Sequence, residues 1–354
     1  MKALILSGGK GTRLRPLTNT TTKQLLPVAN RPILFYIMDM IKEAGVADIG
    51  IVVSSEWGTF VEKAIGDGSK WDAQITYILQ SKPAGLAHAA KISQSFLRDS
   101  PFLMVLGDNI YKFNTKDFIN QYFERYCDTL LLLKEVDNPT SFGIAKLNAE
   151  HKVIQVQEKP KEPESNLALA GVYLFSSTIH EAIDRIKPSG RGELEITDAI
   201  QKLIDMGKNI QGYILDGWWL DTGDKDDLLK ANRAALSEFL KPGIEGSVDS
   251  NSHIIGKVEI MEGTVIKNSV IKGPASIAQH CVIKDSSIGP FVSIGPDTVV
   301  EATSIEDSII STKCYIQSVK HIRGSILGKR VELDRSKGNR LISLFLGDDA
   351  KLNI

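Results

Sequence analysis

The chain has 354 residues, with 42 Lys+Arg against 43 Asp+Glu and a formal net charge of −1. Hydrophobic content of 42% and charged content of 24% are those of an ordinary globular protein, which excludes collagen-like, disordered and disulfide-scaffold classes. The near-neutral total excludes a protein that coats a polyanion such as nucleic acid, so any anion site must be local, and the length suits two domains.

The first element is an apolar strand over Lys2 to Ser7, too short for a secretory signal or a membrane span. It runs into Ser7-Gly8-Gly9-Lys10-Gly11-Thr12-Arg13-Leu14-Arg15-Pro16 and then Lys23-Gln24-Leu25-Leu26-Pro27. Glycines after a buried strand let backbone N–H groups approach an anion closely. This is not the dinucleotide fingerprint, whose third glycine would fall at Leu14, nor a Walker A loop. Its added ingredient is charge: residues 1–38 hold Lys2, Lys10, Arg13, Arg15, Lys23 and Arg31, and no Asp or Glu. A bare Gly-Gly-x-Gly reads as a tight turn; six unopposed cations make it a polyphosphate loop.

Helices are expected over Pro32–Ala44, closed by Gly45, and over Leu86–Arg98; strands are expected over Ile49–Ser54, Ile75–Leu79 and Phe102–Gly107. Continuous apolar strands separated by helices indicate a mostly parallel α/β sheet, whose ligands bind beyond the carboxyl ends of the strands. Asp108 follows one such strand, and Asp221 sits in Trp218-Trp219-Leu220-Asp221-Thr222-Gly223. Either aspartate alone reads as a turn or cap residue. Beside a polyphosphate loop, the two can share one Mg²⁺ with phosphate oxygens and water.

Further strands are expected over Lys152–Glu158, Leu169–Phe175 and Ile210–Leu215. Glu158-Lys159-Pro160 and the run Arg191 to Asp198 add cations, with acids suited to sugar hydroxyls; the latter run also reads as a helix start capped by Thr197 or Asp198. His88, His253, His280 and His321 lack ligand spacing and read as core or surface residues. A last helix runs from the N-cap Asp224 to about Leu240, followed by a Lys241-Pro242-Gly243 linker.

From Ser252 the chain repeats in five blocks of 17 residues, each with Ile at its third position: Ile254, Ile271, Ile288, Ile305 and Ile322. Position fourteen is Val265, Val282, Val299, Ile316 and Leu333, and a third aliphatic register holds Ile260, Ile277 and Ile294, slipping by one residue afterwards. Three inward aliphatics per block mean three short strands per coil, a parallel β-helix. The closing stretch Leu341 to Ile354 reads as a cap on that helix or a docking arm for a neighbouring subunit. Cys127, Cys281 and Cys314 are odd in number and scattered, which points to a reduced, cytoplasmic protein.

Taken together, GGKGTRLRPLT, KQLLPVANRP, QSKPAGLAHA, GDN, SFGIA, EKP, LALAGVYLF, RGELEITDAI and GWWLDTG occur in an order that closely resembles the sugar-1-phosphate nucleotidylyltransferases, over essentially the whole chain. The likeness is to their long branch. It implies a Rossmann-like, mostly parallel α/β nucleotidyltransferase domain over 1–241 and a left-handed parallel β-helix with a C-terminal tail over 242–354. It further implies a Mg²⁺-dependent enzyme, homo-oligomeric and without nucleic-acid or membrane partners, that joins a nucleoside triphosphate (dTTP, with UTP as the alternative) to a sugar-1-phosphate and releases pyrophosphate.

By that resemblance Gly8, Gly9, Gly11, Thr12, Arg13 and Gln24 cradle the nucleotide, with Arg13 and Lys23 on the reacting phosphates, and Gln80 and Gly85 read the pyrimidine. Asp108 and Asp221 match the metal ligands. Asn109, Gly143, Glu158 and Val172 match the sugar pocket, and Lys159 and Arg191 the grip on the sugar phosphate. Phe142 departs from shorter relatives, which carry Tyr there, and Ser81-Lys82 adds a cation near the base pocket. A non-catalytic regulatory relative would be expected to lose Arg13, Lys23, Asp108, Lys159, Arg191 or Asp221, and all are present. An acyltransferase role for the β-helix would call for a long inserted loop and a suitably placed histidine, and the repeats have neither.

Overall fold

The computed structural model describes residues 1–9, 11–334 and 341–353. Lys10, residues 335–340, which include the last two of the fifth repeat, and Ile354 lie outside them. By internal contacts the chain forms two compact units, one of Met1–Gly9 with Leu34–Trp219, the other of Lys10–Ile33 with Leu220–Ile354.

The first unit is built on nine strands: β1 (Lys2–Ser7), β2 (Asp48–Ser54), β3 (Gln74–Gln80), β4 (Phe102–Leu106), β5 (Thr129–Glu135), β6 (Gly143–Leu147), β7 (Val153–Glu158), β8 (Leu167–Phe175) and β9 (Ile210–Ile214). Their order is β7-β6-β8-β4-β1-β2-β3, with β5 also on β8 and β9 on β5. β1 to β4 are parallel, and β8 runs antiparallel to β4. The helices α1 (Ile33–Glu43), α2 (Gly58–Ile65), α3 (Leu86–Ile92), α4 (Thr115–Glu124), α5 (Thr178–Asp184) and α6 (Ile196–Asp205) connect them. Leu4, Met104, Leu131, Leu133, Phe175, Ile200 and Leu203 are buried in one continuous core, which is why these strands read as unbroken apolar runs.

Strand order reverses between β1 and β4, so the crevice beyond Ser7 and Leu106 is a topological switch point, where α/β sheets bind ligands. Gly107 permits the close approach there: a Cβ on it would lie 2.8 Å from the Leu6 carbonyl oxygen. The expected helix over 86–98 breaks at Ser93, whose hydroxyl donates to the Ala89 carbonyl (2.7 Å), before a short turn at Gln94–Leu97. The helix over 196–205 is preceded by Glu195 as its N-cap, not Thr197 or Asp198. Thr197 instead turns its hydroxyl to Glu158 (3.3 Å).

In the second unit three parallel sheets of seven, seven and six strands stack as one β-helix, consistent with the left-handed coil expected. Val258–Ile260, Val265–Lys267 and Val270–Lys272 pair with strands one coil later. Ile271, Ile288, Ile305 and Ile322 line the core with no exposure, as do Ile260, Ile277 and Ile294. The third inward column corrects the sequence reading. It is Ile266, Ile283, Val300, Ile316 and Leu333, whereas Val265, Val282 and Val299 face outward. One coil is a residue short, since Val299 pairs with Tyr315 while Ile288 pairs with Ile305. That slip brings Ile316 inward at the same sequence spacing.

The described part of the tail takes the first of its two expected roles and closes the end of the β-helix. Leu341–Ile342, Phe345–Leu346 and Lys351–Asn353 extend the three sheets as a terminal coil, and the first coil starts upstream of the repeats at Gly243–Ile244. The helix α7 (Lys225–Glu238) is capped by Asp224, whose carboxylate accepts from the Asp227 N–H at 3.0 Å. Its buried Asn232 ties three segments: Oδ1 accepts from the Ala29 N–H (2.8 Å) and the Ser293 hydroxyl (3.0 Å), while Nδ2 donates to the Phe291 carbonyl (3.4 Å). Asn30 donates to the carbonyl and hydroxyl oxygens of Ser276, both at 3.0 Å. Among the described residues no helix is long and apolar enough to cross a membrane.

Candidate active site

In the first unit the switch point carries Gly8 and Gly9 at the end of β1, with Gln80 closing β3 beside them. A Cβ on Gly8 would stand 2.9 Å from Gln80 Oε1, so the missing side chain makes room for the amide. Gly85 has φ near +100°, and a Cβ there would fall 2.3 Å from the Leu194 carbonyl oxygen. Backbone bonds from Leu194 N to Ala84 O (2.8 Å) and from Ala87 N to Leu194 O (3.1 Å) clip the Arg191–Glu195 loop to the Gln80–Gly85 loop. Two segments singled out separately in the sequence are thus neighbours.

Of the expected sugar and sugar-phosphate residues, Glu158, Lys159 and Arg191 form one polar network. Glu158 ends β7; its Oε1 accepts from the Arg191 guanidinium (3.0 Å), its Oε2 from Thr197, and the Lys159 ammonium lies 3.8 Å away. Gly143 faces them, since a Cβ would come within 3.3 Å of Glu158 Oε2 and 2.7 Å of Thr197. Arg191 also meets both oxygens of buried Glu195 at 2.9 Å. Partial burial works against its charge, but Glu195, Glu158 and Glu193 outweigh that and hold the guanidinium above its ordinary pKa. Asp198 is held above the usual carboxylate range by burial and by the charge of Glu195. Val172 is fully buried in β8, opposite Val105, just after an irregularity in register at Gly171.

Asp108 follows β4, and Asn109 donates to its Oδ1 at 3.0 Å. Asn109 is itself held, because the Trp219 indole N–H donates to its Oδ1 at 2.6 Å. Trp219 packs edge-on against Phe142, with ring centroids 5.2 Å apart. The phenyl ring that departs from the family pattern therefore supports the indole that orients Asn109.

In the second unit Gly11 (φ near +60°) opens a short turn over Thr12–Leu14, and its carbonyl accepts from the Thr18 hydroxyl at 2.8 Å. Lys23 and Gln24 are almost fully buried in a second such turn, Gln24 accepting from the Thr22 hydroxyl. Lys23 reaches Asp221 Oδ1 at 3.2 Å, the pairing that a buried ammonium requires. A Cβ on Gly223 would lie 3.2 Å from an Arg13 guanidinium nitrogen and 3.3 Å from Asp221 Oδ2, so Arg13, Lys23 and Asp221 converge around that glycine.

Among the described residues no group of three or more His, Cys, Asp or Glu is arranged to hold a metal. Asp108 in the first unit and Asp221 in the second each offer a hard carboxylate, the donor type that Mg²⁺ takes alongside phosphate oxygens and water. The donor chemistry fits.

The sequence reading missed the work of three side chains. His88 bonds the amide of Gln80 rather than serving only packing. Trp219 orients Asn109, and Glu195, at the residue before α6, anchors Arg191. Only the last had a usable signal, its spacing of four residues from Arg191.

A strand-ending glycine pair at the switch point of a Rossmann-like sheet is an arrangement found in nucleotide-handling enzymes. The family model described as Nucleotidyl transferase matches residues 2–238, and the chain belongs to that family. Over its whole length it is 45% identical to a glucose-1-phosphate thymidylyltransferase of Streptomyces antibioticus, covering 99% of that protein. It is 44% identical, over 73% of its length and 72% of the relative's, to the low-salt glycan biosynthesis nucleotidyltransferase Agl11 of Haloferax volcanii. Among solved structures, a Bacillus anthracis chain provisionally assigned as a glucose-1-phosphate thymidylyltransferase, in complex with a sucrose, superposes with a TM-score of 0.63 at 35% identity, covering 69% of this chain and 97% of that one.

Proposed function

We propose that the protein joins dTTP to glucose-1-phosphate, forming dTDP-glucose and releasing pyrophosphate. The observation that carries this is the 45% identity over the full length with the Streptomyces antibioticus relative of that name. The functional division follows the sequence reading, with 1–241 as the catalytic part and 242–354 as the β-helix.

Both reactants are polyanions, so the barrier contains their mutual repulsion and the entropy of bringing them together. The attacking sugar phosphate is already ionised near neutrality and needs no general base, which suits a residue set rich in Lys, Arg and Asp. In this reading a phosphate oxygen attacks the α-phosphorus in line and pyrophosphate departs opposite. Arg13 stabilises charge on the α-phosphate and departing pyrophosphate, and Lys23, paired with Asp221, assists. Gly8, Gly9, Gly11, Thr12 and Gln24 shape the triphosphate cradle, and Gln80 with Gly85 meets the base. Lys159 and Arg191 grip the sugar phosphate, with Asn109, Gly143, Glu158 and Val172 around the hexose. Asp108 and Asp221 would hold Mg²⁺, which supplies charge neutralisation on phosphate oxygens. With three buried free thiols, the chain fits a reducing compartment such as the cytoplasm. Assembly as a homo-oligomer belongs to the same reading, and sedimentation of the purified chain tests it.

The deciding experiment is pyrophosphate release from purified protein with Mg²⁺, crossing dTTP and UTP with glucose-, galactose- and N-acetylglucosamine-1-phosphate. The expected result is the highest kcat/KM for dTTP with glucose-1-phosphate. Absence of release from every pair overturns the catalytic reading, and a preference for UTP or another sugar corrects its specificity. Lys159→Ala should raise KM for the sugar phosphate more than for dTTP; equal losses refute its role.

A further inference from the structure

Gln80 is only 8% exposed, so each hydrogen on its amide needs an acceptor. Its nitrogen lies 3.3 Å from the Gly85 carbonyl oxygen and 3.0 Å from His88 Nδ1. A backbone carbonyl can only accept, so the amide nitrogen, not the oxygen, must face Gly85; the flipped amide would set two carbonyl oxygens against each other. The second N–H then donates to His88 Nδ1, which acts as the acceptor and leaves the ring's own N–H on Nε2. Both donors are engaged inside the protein. The remaining group, Oε1, is turned towards Gly8 in the glycine loop, and among the described residues no donor reaches it.

We propose that His88 locks the Gln80 amide so that this side chain offers the incoming nucleotide base an acceptor alone, which selects a pyrimidine bearing a proton on N3, thymine or uracil, and rejects cytosine. This rests on the assignment of Gln80 to the base. The chemistry is that of an unpaired polar atom: N3–H of thymine or uracil satisfies Oε1, whereas cytosine N3 presents a lone pair to a lone pair. A site built to bond one pattern rejects the other strongly, because the mismatch leaves desolvated groups unpaired. His88 is thus a positioning residue that acts through Gln80. Located on α3 one turn from Gly85, it lets a helix register decide a base preference.

The test compares wild-type enzyme with H88L, H88N, H88Q and Q80A, measuring kcat/KM for dTTP and for CTP at saturating glucose-1-phosphate, and KM for glucose-1-phosphate. With H88L the amide keeps only its longer 3.3 Å bond to the Gly85 carbonyl and is held less firmly. KM for dTTP should rise and the dTTP-to-CTP preference fall roughly tenfold, the weight of about one hydrogen bond, while KM for the sugar phosphate holds. H88N sets an acceptor where Nδ1 was and should restore the preference; H88Q, whose amide reaches too far, should not. A merely structural histidine would lower all parameters together and show no split between the two amides, so H88N and H88Q remain informative if H88L fails to fold. An unchanged preference in H88L and H88Q, with Q80A impaired, overturns the role of His88 and leaves the base contact standing. An unimpaired Q80A overturns the base contact itself, and this proposal with it.

Discussion

Asn232 offers a quantitative test of how the β-helix unit is held together. The side chain is 1% exposed and its Oδ1 accepts from the Ala29 N–H and the Ser293 hydroxyl. Asn232→Leu keeps a similar volume but removes that acceptor. The Ala29 N–H is then left without its partner, at about 1–3 kcal/mol, and loss of the Ser293 bond adds about 1 kcal/mol, so the total is about 2–4 kcal/mol. For a unit of this size each kcal/mol moves Tm by about 2–4 °C, so calorimetry should show a fall of about 5–15 °C. Ser293→Ala shares one of the lost bonds. In a double-mutant cycle it should cost markedly less on top of Asn232→Leu than it does alone. A loss below about 0.5 kcal/mol, the level of an ordinary surface substitution, would refute the reasoning, as would strict additivity.

Other outcomes follow from the same structure. His180 is buried against Phe102 with neither ring nitrogen hydrogen-bonded, and burial lowers its pKa against a small opposing pull from Asp184. Below its unfolded value near 6.5 the unfolded chain binds a proton that the folded chain resists, so this contribution is complete above about pH 6.5 and is lost as pH falls through the folded value. His180→Phe should flatten the acid side of the stability profile in urea melts between pH 7.5 and 5; an unchanged slope contradicts it. Burial pushes the thiols of Cys127 and Cys281 up to about 11 and that of Cys314 to about 12. A thiol reagent at pH 8 should therefore find no reactive cysteine in the native protein and three in denaturant. Asp108→Asn should abolish turnover with circular dichroism unchanged, and near-normal activity at saturating Mg²⁺ would remove Asp108 from the metal assignment.

The sequence was most informative where one physical cause acts alone. Lys2–Ser7 and Phe102–Leu106 are buried on both faces, so burial writes an uninterrupted apolar run that matches the first strand and overshoots the second only by Gly107. The isoleucines at a period of 17 announced the coils for the same reason. Legibility fails where two outcomes use the same residue type. Val265 and Ile266 are both β-branched, and only the backbone decides which enters the core; the short coil then shifts the later blocks by one residue. It fails again where a polar residue serves a distant partner, as with Trp219 on Asn109 or Asn232 on Ala29. The Leu86–Arg98 pattern carried helical periodicity throughout, but periodicity does not register that a serine hydroxyl can bond back to the preceding turn. The family resemblance named the candidate site residues, whereas the grip of Glu158 on Arg191, thirty-three residues apart, became visible only in three dimensions.

The stretch Lys10–Ile33 belongs by its contacts with the coils and α7, although the 186 residues 34–219 separate it from the rest of that unit in the chain. A recombination event that exchanged everything after residue 241 for a foreign β-helix would keep every motif of the glycine loop. It would also delete Ser276, Phe291 and Ser293, to which Asn30 and Asn232 are tied. Chimeras joined at that linker should therefore function only when donor and recipient agree at these positions. The two halves of this chain are constrained to change together, and their sequences inherit as a matched pair.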